Sequence, residues 1–181
     1  DRNLGVLRLA NRTAWEGDGF TASFGGWYAR RELDHAITRF AGIIDQSEDE
    51  GGLFARATGI FPFRGADAEW TVGTELNRGW NAARTWENVN GQEGALRSRS
   101  DQESWNLLAY GQVDLPVTEA WRLVLGLQGL RAHRSNEAIL NDVSGEVTSS
   151  QLNPRLGVLY APSEDVQFFA NVNRGFEPAT M

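Results

Sequence analysis

The chain has 181 residues, 41% apolar and 10% aromatic, which is too apolar for a disordered segment and fits one ordinary domain. With no Cys and two His, neither a disulfide framework nor a Cys-based zinc site holds it together, and no metal site or cofactor is expected. The net charge of -7 argues against nucleic acid as a partner, because phosphate-reading surfaces concentrate basic residues on one face.

No run approaches the ~20 apolar residues of a membrane helix. Strands that alternate lipid-facing and lumen-facing residues would leave that same weak hydropathy signal. A period of two recurs from end to end and capped helical stretches are hard to find, so the sequence predicts an all-β fold. The first predicted strand covers residues 4 to 15, with Leu7, Leu9, Asn11, Thr13 and Trp15 on one side. Glu16-Gly17-Asp18-Gly19 then supplies the positive φ of a hairpin turn. The return strand puts Phe20, Ala22, Phe24, Gly26 and Tyr28 on one face and Thr21, Ser23, Gly25 and Trp27 on the other.

Residues 30 to 50 are polar, carry the acidic run Asp45 to Glu50, and read as a long solvated loop. A third strand follows at 52 to 63. Arg64-Gly65-Ala66-Asp67 reads as a turn, and a fourth strand carries Trp70, Val72, Thr74 and Leu76 on its apolar side. Residues 81 to 102 read as a second long polar connection. The fifth strand carries Trp105, Leu107, Ala109, Gly111, Val113 and Leu115, and the sixth carries Trp121, Leu123, Leu125 and Leu127 across a turn at 116 to 119. After a third polar stretch, 133 to 150, the last hairpin pairs 152 to 160 with 166 to 176 across Ala161-Pro162-Ser163-Glu164-Asp165.

Eight strands with alternately short and long connections match outer-membrane barrels, whose periplasmic turns are short and extracellular loops long. Trp15, Phe20, Phe61, Phe63, Trp70, Trp121, Tyr160 and Phe168 flank the short turns, as an aromatic girdle at a membrane boundary would. Strict alternation predicts that Phe20, Phe24, Tyr28, Trp70, Val72, Leu107, Val113, Trp121, Leu123, Leu125, Phe168 and Val172 face lipid. Thr21, Ser23, Glu75, Asn77, Asn106, Gln112, Gln128, Asn171 and Asn173 should then face the lumen. Complete barrels place both termini in the periplasm, whereas this pattern starts and ends on the loop side, so the chain is expected to be an excerpt of a larger barrel.

Asn153-Pro154-Arg155-Leu156-Gly157-Val158-Leu159-Tyr160-Ala161-Pro162, continued by Phe168-Phe169-Ala170-Asn171-Val172-Asn173-Arg174-Gly175-Phe176-Glu177-Pro178, resembles a hairpin of TonB-dependent outer-membrane receptors. Ala179 stands where that family often has a second Pro. Residues Leu33-Asp34-His35 through Ile43-Ile44-Asp45 are similar to the ferric-citrate-receptor-like branch. The resemblance implies a partial barrel domain over residues 1 to 181, within an antiparallel transmembrane barrel of about 22 strands. It implies no enzyme, and instead uptake of iron-siderophore complexes or a similar scarce nutrient across the bacterial outer membrane. Outer-membrane lipid and lipopolysaccharide would be neighbours, and TonB a partner of the full-length protein. The family's plug domain and TonB-contacting segment have no counterpart in these residues.

Iron chelates are commonly anionic, and the guanidinium fork recognises carboxylates and other oxyanions. The candidate ligand residues are therefore Arg30, Arg31, Arg39, Arg84, Arg97, Arg99, Arg131 and Arg134, with Trp80 and Trp86, all near the predicted extracellular ends. Solvation, or contact with lipopolysaccharide phosphates, is the bland alternative for most of them. His35 and His133 could ligate haem iron but read as solvated histidines. No catalytic spacing stands out. Two other readings compete with the receptor: a porin-like or structural barrel, and a soluble glycan-binding β-sandwich suggested by the seven Trp.

Overall fold

The computed structural model describes residues 2–38, 42–140 and 144–175. Arg39 and the end of the family-like hairpin, from Phe176 to Ala179, lie outside them. Eight strands follow one another: β1 Arg2–Gly17, β2 Phe20–Thr38, β3 Gly42–Phe63, β4 Ala66–Val89, β5 Gln92–Pro116, β6 Trp121–Ile139, β7 Gly145–Ser163 and β8 Val166–Asn173. They form one antiparallel sheet in chain order, with β1 and β8 at its open edges. The first seven predicted strands lie within these elements; the eighth, 166 to 176, begins with β8 but outruns it, since β8 ends at Asn173 and Arg174 and Gly175 are not strand.

The predicted long loops are a different matter. Residues 30–38 and 42–50 are paired strand, as are 81–89 with 92–102 and most of 133–139 with 145–150. Among the described residues the polar stretches are mostly the outer halves of paired strands, not loops, and between β4 and β5 a tight turn closes them. Beyond the apolar band both faces of a strand meet water, so the alternation that marks a half-buried strand vanishes although backbone pairing continues. The turn between β4 and β5 was visible in the sequence. Asn90 (φ 57°) and Gly91 (φ 89°) make the two-residue turn that Asn-Gly favours, because both positions need the left-handed region. The Asn88 side-chain oxygen accepts a hydrogen bond from Gly91 N at 2.7 Å.

In an antiparallel ladder, directly opposed residues share a face. Following the register from Phe20 to Gly59, Trp70, Val113, Leu125, Leu156 and Val172 places all the residues expected to face lipid on one side. Those expected to face the lumen lie on the other. The apolar face is uncovered: Phe24 is 58%, Leu9 60% and Leu53 65% exposed. Buried apolar residues among the described ones are confined to Ile43, Ala68 and Ala132. Among the described residues no second sheet closes a dry core over this face, so the packing of a soluble sandwich is not formed there.

The apolar face has a defined width. On β4 it runs from Trp70 to Trp80, on β5 from Leu115 back to Trp105, and on β6 from Trp121 to Arg131. Ten residues at ~3.4 Å each, tilted by ~45°, span about 24 Å, close to the ~25 Å apolar band of outer-membrane barrels. At the near edge, Trp15 meets Phe20 edge-on at 5.2 Å, and Tyr160 stacks on Trp121 at 4.4 Å and on Phe168 at 6.3 Å. The strands end just past this edge but continue well beyond the far one, so the far side corresponds to the extracellular side of such barrels.

In the intact barrel folded into bilayers, Leu125→Arg is expected to cost about 2–4 kcal/mol. Gln128→Arg, on the opposite face, should stay within about 0.5 kcal/mol. Denaturant titrations followed by tryptophan fluorescence measure both, and equal costs would refute the assignment of faces.

Candidate functional site

Past the apolar band, the polar face carries three groups of hydrogen-bonded side chains that together reach across five strands, β2 to β6. Arg31 Nη1 donates to Glu48 at 2.9 Å across β2 and β3. Gln46 Nε2 donates to Asn81 Oδ1 at 3.0 Å, and Asn81 Nδ2 donates to Gln102 Oε1 at 3.1 Å. On β5, Ser100 Oγ donates to Asn136 Oδ1 of β6 at 3.0 Å. Arg31, Glu48, Asn81, Gln102 and Asn136 are opposed in successive ladder pairs, so the backbone register alone lines them up.

Beside this row the polar face opens into a depression of about 280 Å³, bordered by Glu48, Glu50, Asn81, Gln102 and Arg134 and floored by Gly79 and Ser104. Arg134 Nη1 donates to the carbonyls of His133 (2.7 Å) and Trp105 (3.2 Å), which pins its guanidinium at the edge. A second depression of about 360 Å³ lies lower on the same face, between Tyr110, Gln112, Gln128, Asn153 and Arg155. There Arg155 Nη1 donates to Gln112 at 3.2 Å.

The candidate residues divide between the two faces. Arg31 and Arg134 lie on the polar face with the depression. Arg30, Trp80, Arg84, Arg99 and Arg131 follow the opposite parity and stand at or beyond the far edge of the apolar band on the other face. Several of these have acidic neighbours: Arg30 pairs with Glu32 at 2.6 Å, Arg99 with Asp101 at 2.5 Å and Arg84 with Asp45 at 3.6 Å. The Glu32 hydrogen bond pushes the Arg30 guanidinium above its ordinary value. Arg131 lies 5.9 Å over the Trp105 ring, on which His133 also stacks, while Trp80 carries the Arg78 guanidinium at 4.4 Å. Trp86 opposes Ile43 near the hairpin tip, and Arg97 reaches Glu87 at 3.9 Å. His35 and His133 sit on different faces of separate strands, and no group of three or more metal-ligating side chains occurs among the described residues.

Sequence reasoning missed Glu50, Asn81 and Gln102, because it assigned them to loops, where register has no meaning, and Gly79 and Ser104, which it left between strand and loop. The Asn90-Gly91 turn, followed outward in both directions, would have opposed Asn81 to Ser100; the irregularity near Trp86 moves its partner to Gln102.

A family model described as TonB dependent receptor-like, beta-barrel, matches residues 2–181. The chain belongs to this receptor-barrel family. The metal-pseudopaline receptor CntO of Pseudomonas aeruginosa is 34% identical over 73 residues, 37% of this chain and 10% of the relative. The ferric-catecholate import receptor Fiu of E. coli, in its open form, superposes with a TM-score of 0.70 at 12% identity, covering 98% of this chain and 36% of that one. The ferric citrate transporter FecA gives 0.68 at 16% identity, covering 95% and 27%. The chain thus spans about a third or less of these receptors. At such identities the structural likeness carries the fold: an eight-stranded part of a receptor barrel wall, in a family of transport receptors rather than enzymes.

Within this wall, Asn81→Ala removes both hydrogen bonds of the central carboxamide and is expected to cost about 1–2 kcal/mol. Arg31→Gln breaks an exposed ion pair and should cost under about 1 kcal/mol. Denaturant unfolding of the full receptor measures both, and a silent Asn81→Ala would show that the carboxamide row does not form.

Proposed function

We propose that this wall belongs to an outer-membrane receptor for TonB-dependent uptake of iron-siderophore complexes or a related metal chelate. One observation carries the reading beyond the fold: a polar depression on the lumen-type face, held above the apolar band where a ligand arriving from outside would meet it. The match to a metal-pseudopaline receptor supports a chelate as cargo. Arg31 and Arg134 are the ligand-facing cations in this reading. Arg30, Arg84, Arg99 and Arg131, with Trp80, face outward at the height of the lipopolysaccharide headgroups, where their role is contact with phosphates. Arg97 and Trp86, beside the β4–β5 turn, complete the rim. TonB is the partner of the full receptor, engaged through segments outside these 181 residues.

The porin-like alternative shares the strand pattern but predicts diffusion through an open lumen. Uptake of a radiolabelled ferric chelate by cells carrying the full reading frame should be saturable and should stop when either the gene or TonB function is removed. Uptake that persists without TonB and rises linearly with concentration would favour the porin instead.

A further inference from the structure

The depression on the polar face also indicates which chemical group it takes, an inference that rests on the receptor reading above. One ladder row crosses the sheet as Glu50, Gly79, Ser104 and Arg134 on β3 to β6. Glu50 and Arg134 are three strand spacings apart, about 14 Å between Cα atoms at ~4.8 Å per strand. Two of the smallest residue types lie between them. A Cβ on Gly79 would stand 3.1 Å from Ser104 Oγ and 3.9 Å from Glu50 Cβ, so the absence of a side chain keeps the floor open. On the next row, Asn81 and Gln102 close one side with their hydrogen-bonded carboxamides.

The charges at the two ends are of opposite sign and differently anchored. Among the described residues Glu50 has no assigned ion pair or side-chain hydrogen bond, whereas Glu48 beside it is neutralised by Arg31. Arg134 is held in place by two backbone carbonyls. A purely anionic chelate would meet an uncompensated carboxylate at one end, and a bare metal cation would meet a guanidinium at the other. We infer that the depression seats a zwitterionic arm of the chelate, its ammonium against Glu50 and its carboxylate against Arg134, with the Asn81 and Gln102 carboxamides bordering the linker between them.

Two synthetic probes separate these charges: iron(III) nitrilotriacetate and iron(III) Nα,Nα-bis(carboxymethyl)-L-lysine, which share a carboxylate chelating head while only the second has a free ammonium. Binding to the purified full receptor, read by quenching of tryptophan fluorescence, should favour the ammonium-bearing chelate by about fivefold, the scale of one partly exposed charge pair. Glu50→Gln should bring the two within about twofold, Arg134→Gln should weaken both by a similar factor, and Gly79→Leu should weaken both by filling the floor. Heat-modifiable gel mobility confirms that each variant is a folded barrel, and the wild-type comparison needs no variant. Equal binding of the two chelates by wild type, a preference that survives Glu50→Gln, or an unaffected Gly79→Leu would each overturn the inference. Uptake that persists without TonB would refute the receptor reading itself, while TonB-dependent uptake without the ammonium preference would sink only the zwitterion site.

Discussion

The backbone hydrogen-bond ladder is the constraint from which everything else in this wall follows. Side chains alternate with a period of two, and each residue shares its face with its cross-strand partner, so fixing one register fixes the side of every residue on eight strands. Arg30 and Arg31 differ by one position. One stands above the apolar band on the outer face with Glu32, and the other faces Glu48 on the polar face. Neither charge nor exposure separates them, only parity.

In hydrocarbon the ladder is also obligatory. Backbone groups there have no water to turn to, so strands must pair on both sides across the whole band. The edges β1 and β8 are where this sheet would continue into neighbouring wall. Beyond the band that pressure ends, yet the strands continue, with β5 reaching 25 residues. What holds the extension is cross-strand chemistry suited to water: the Arg84 and Asp45 pair at 3.6 Å, the Arg31 and Glu48 pair, and the carboxamide row. Each is worth little alone. Together they bridge β2 to β5 just past the band, and Ile43, buried opposite Trp86, adds an apolar contact near one tip.

This has a consequence for recognition. Polar groups carried on paired strands are placed by the ladder rather than by loop conformation, so little ordering remains to be lost when a ligand arrives. Glu50 and Arg134 face each other across Gly79 and Ser104 because four strands hold them there. A loop-borne site would instead need its side chains ordered by the ligand itself.

The sequence by itself determined the strand count, the short turns, the apolar face and the family, because each is written locally: alternation within a strand, turn residues between strands, and the Asn153 to Asn173 hairpin motif. It misjudged residues 30–50, 81–102 and 133–150, where solvation of both faces erases the alternation that identifies a strand. Which Arg residues share a face with Glu50, Asn81 and Gln102, and that Gly79 lies between Glu50 and Ser104, only the tertiary structure decided. Those relations join residues 19 to 84 positions apart through inter-strand hydrogen bonds, and no local pattern in the chain records them.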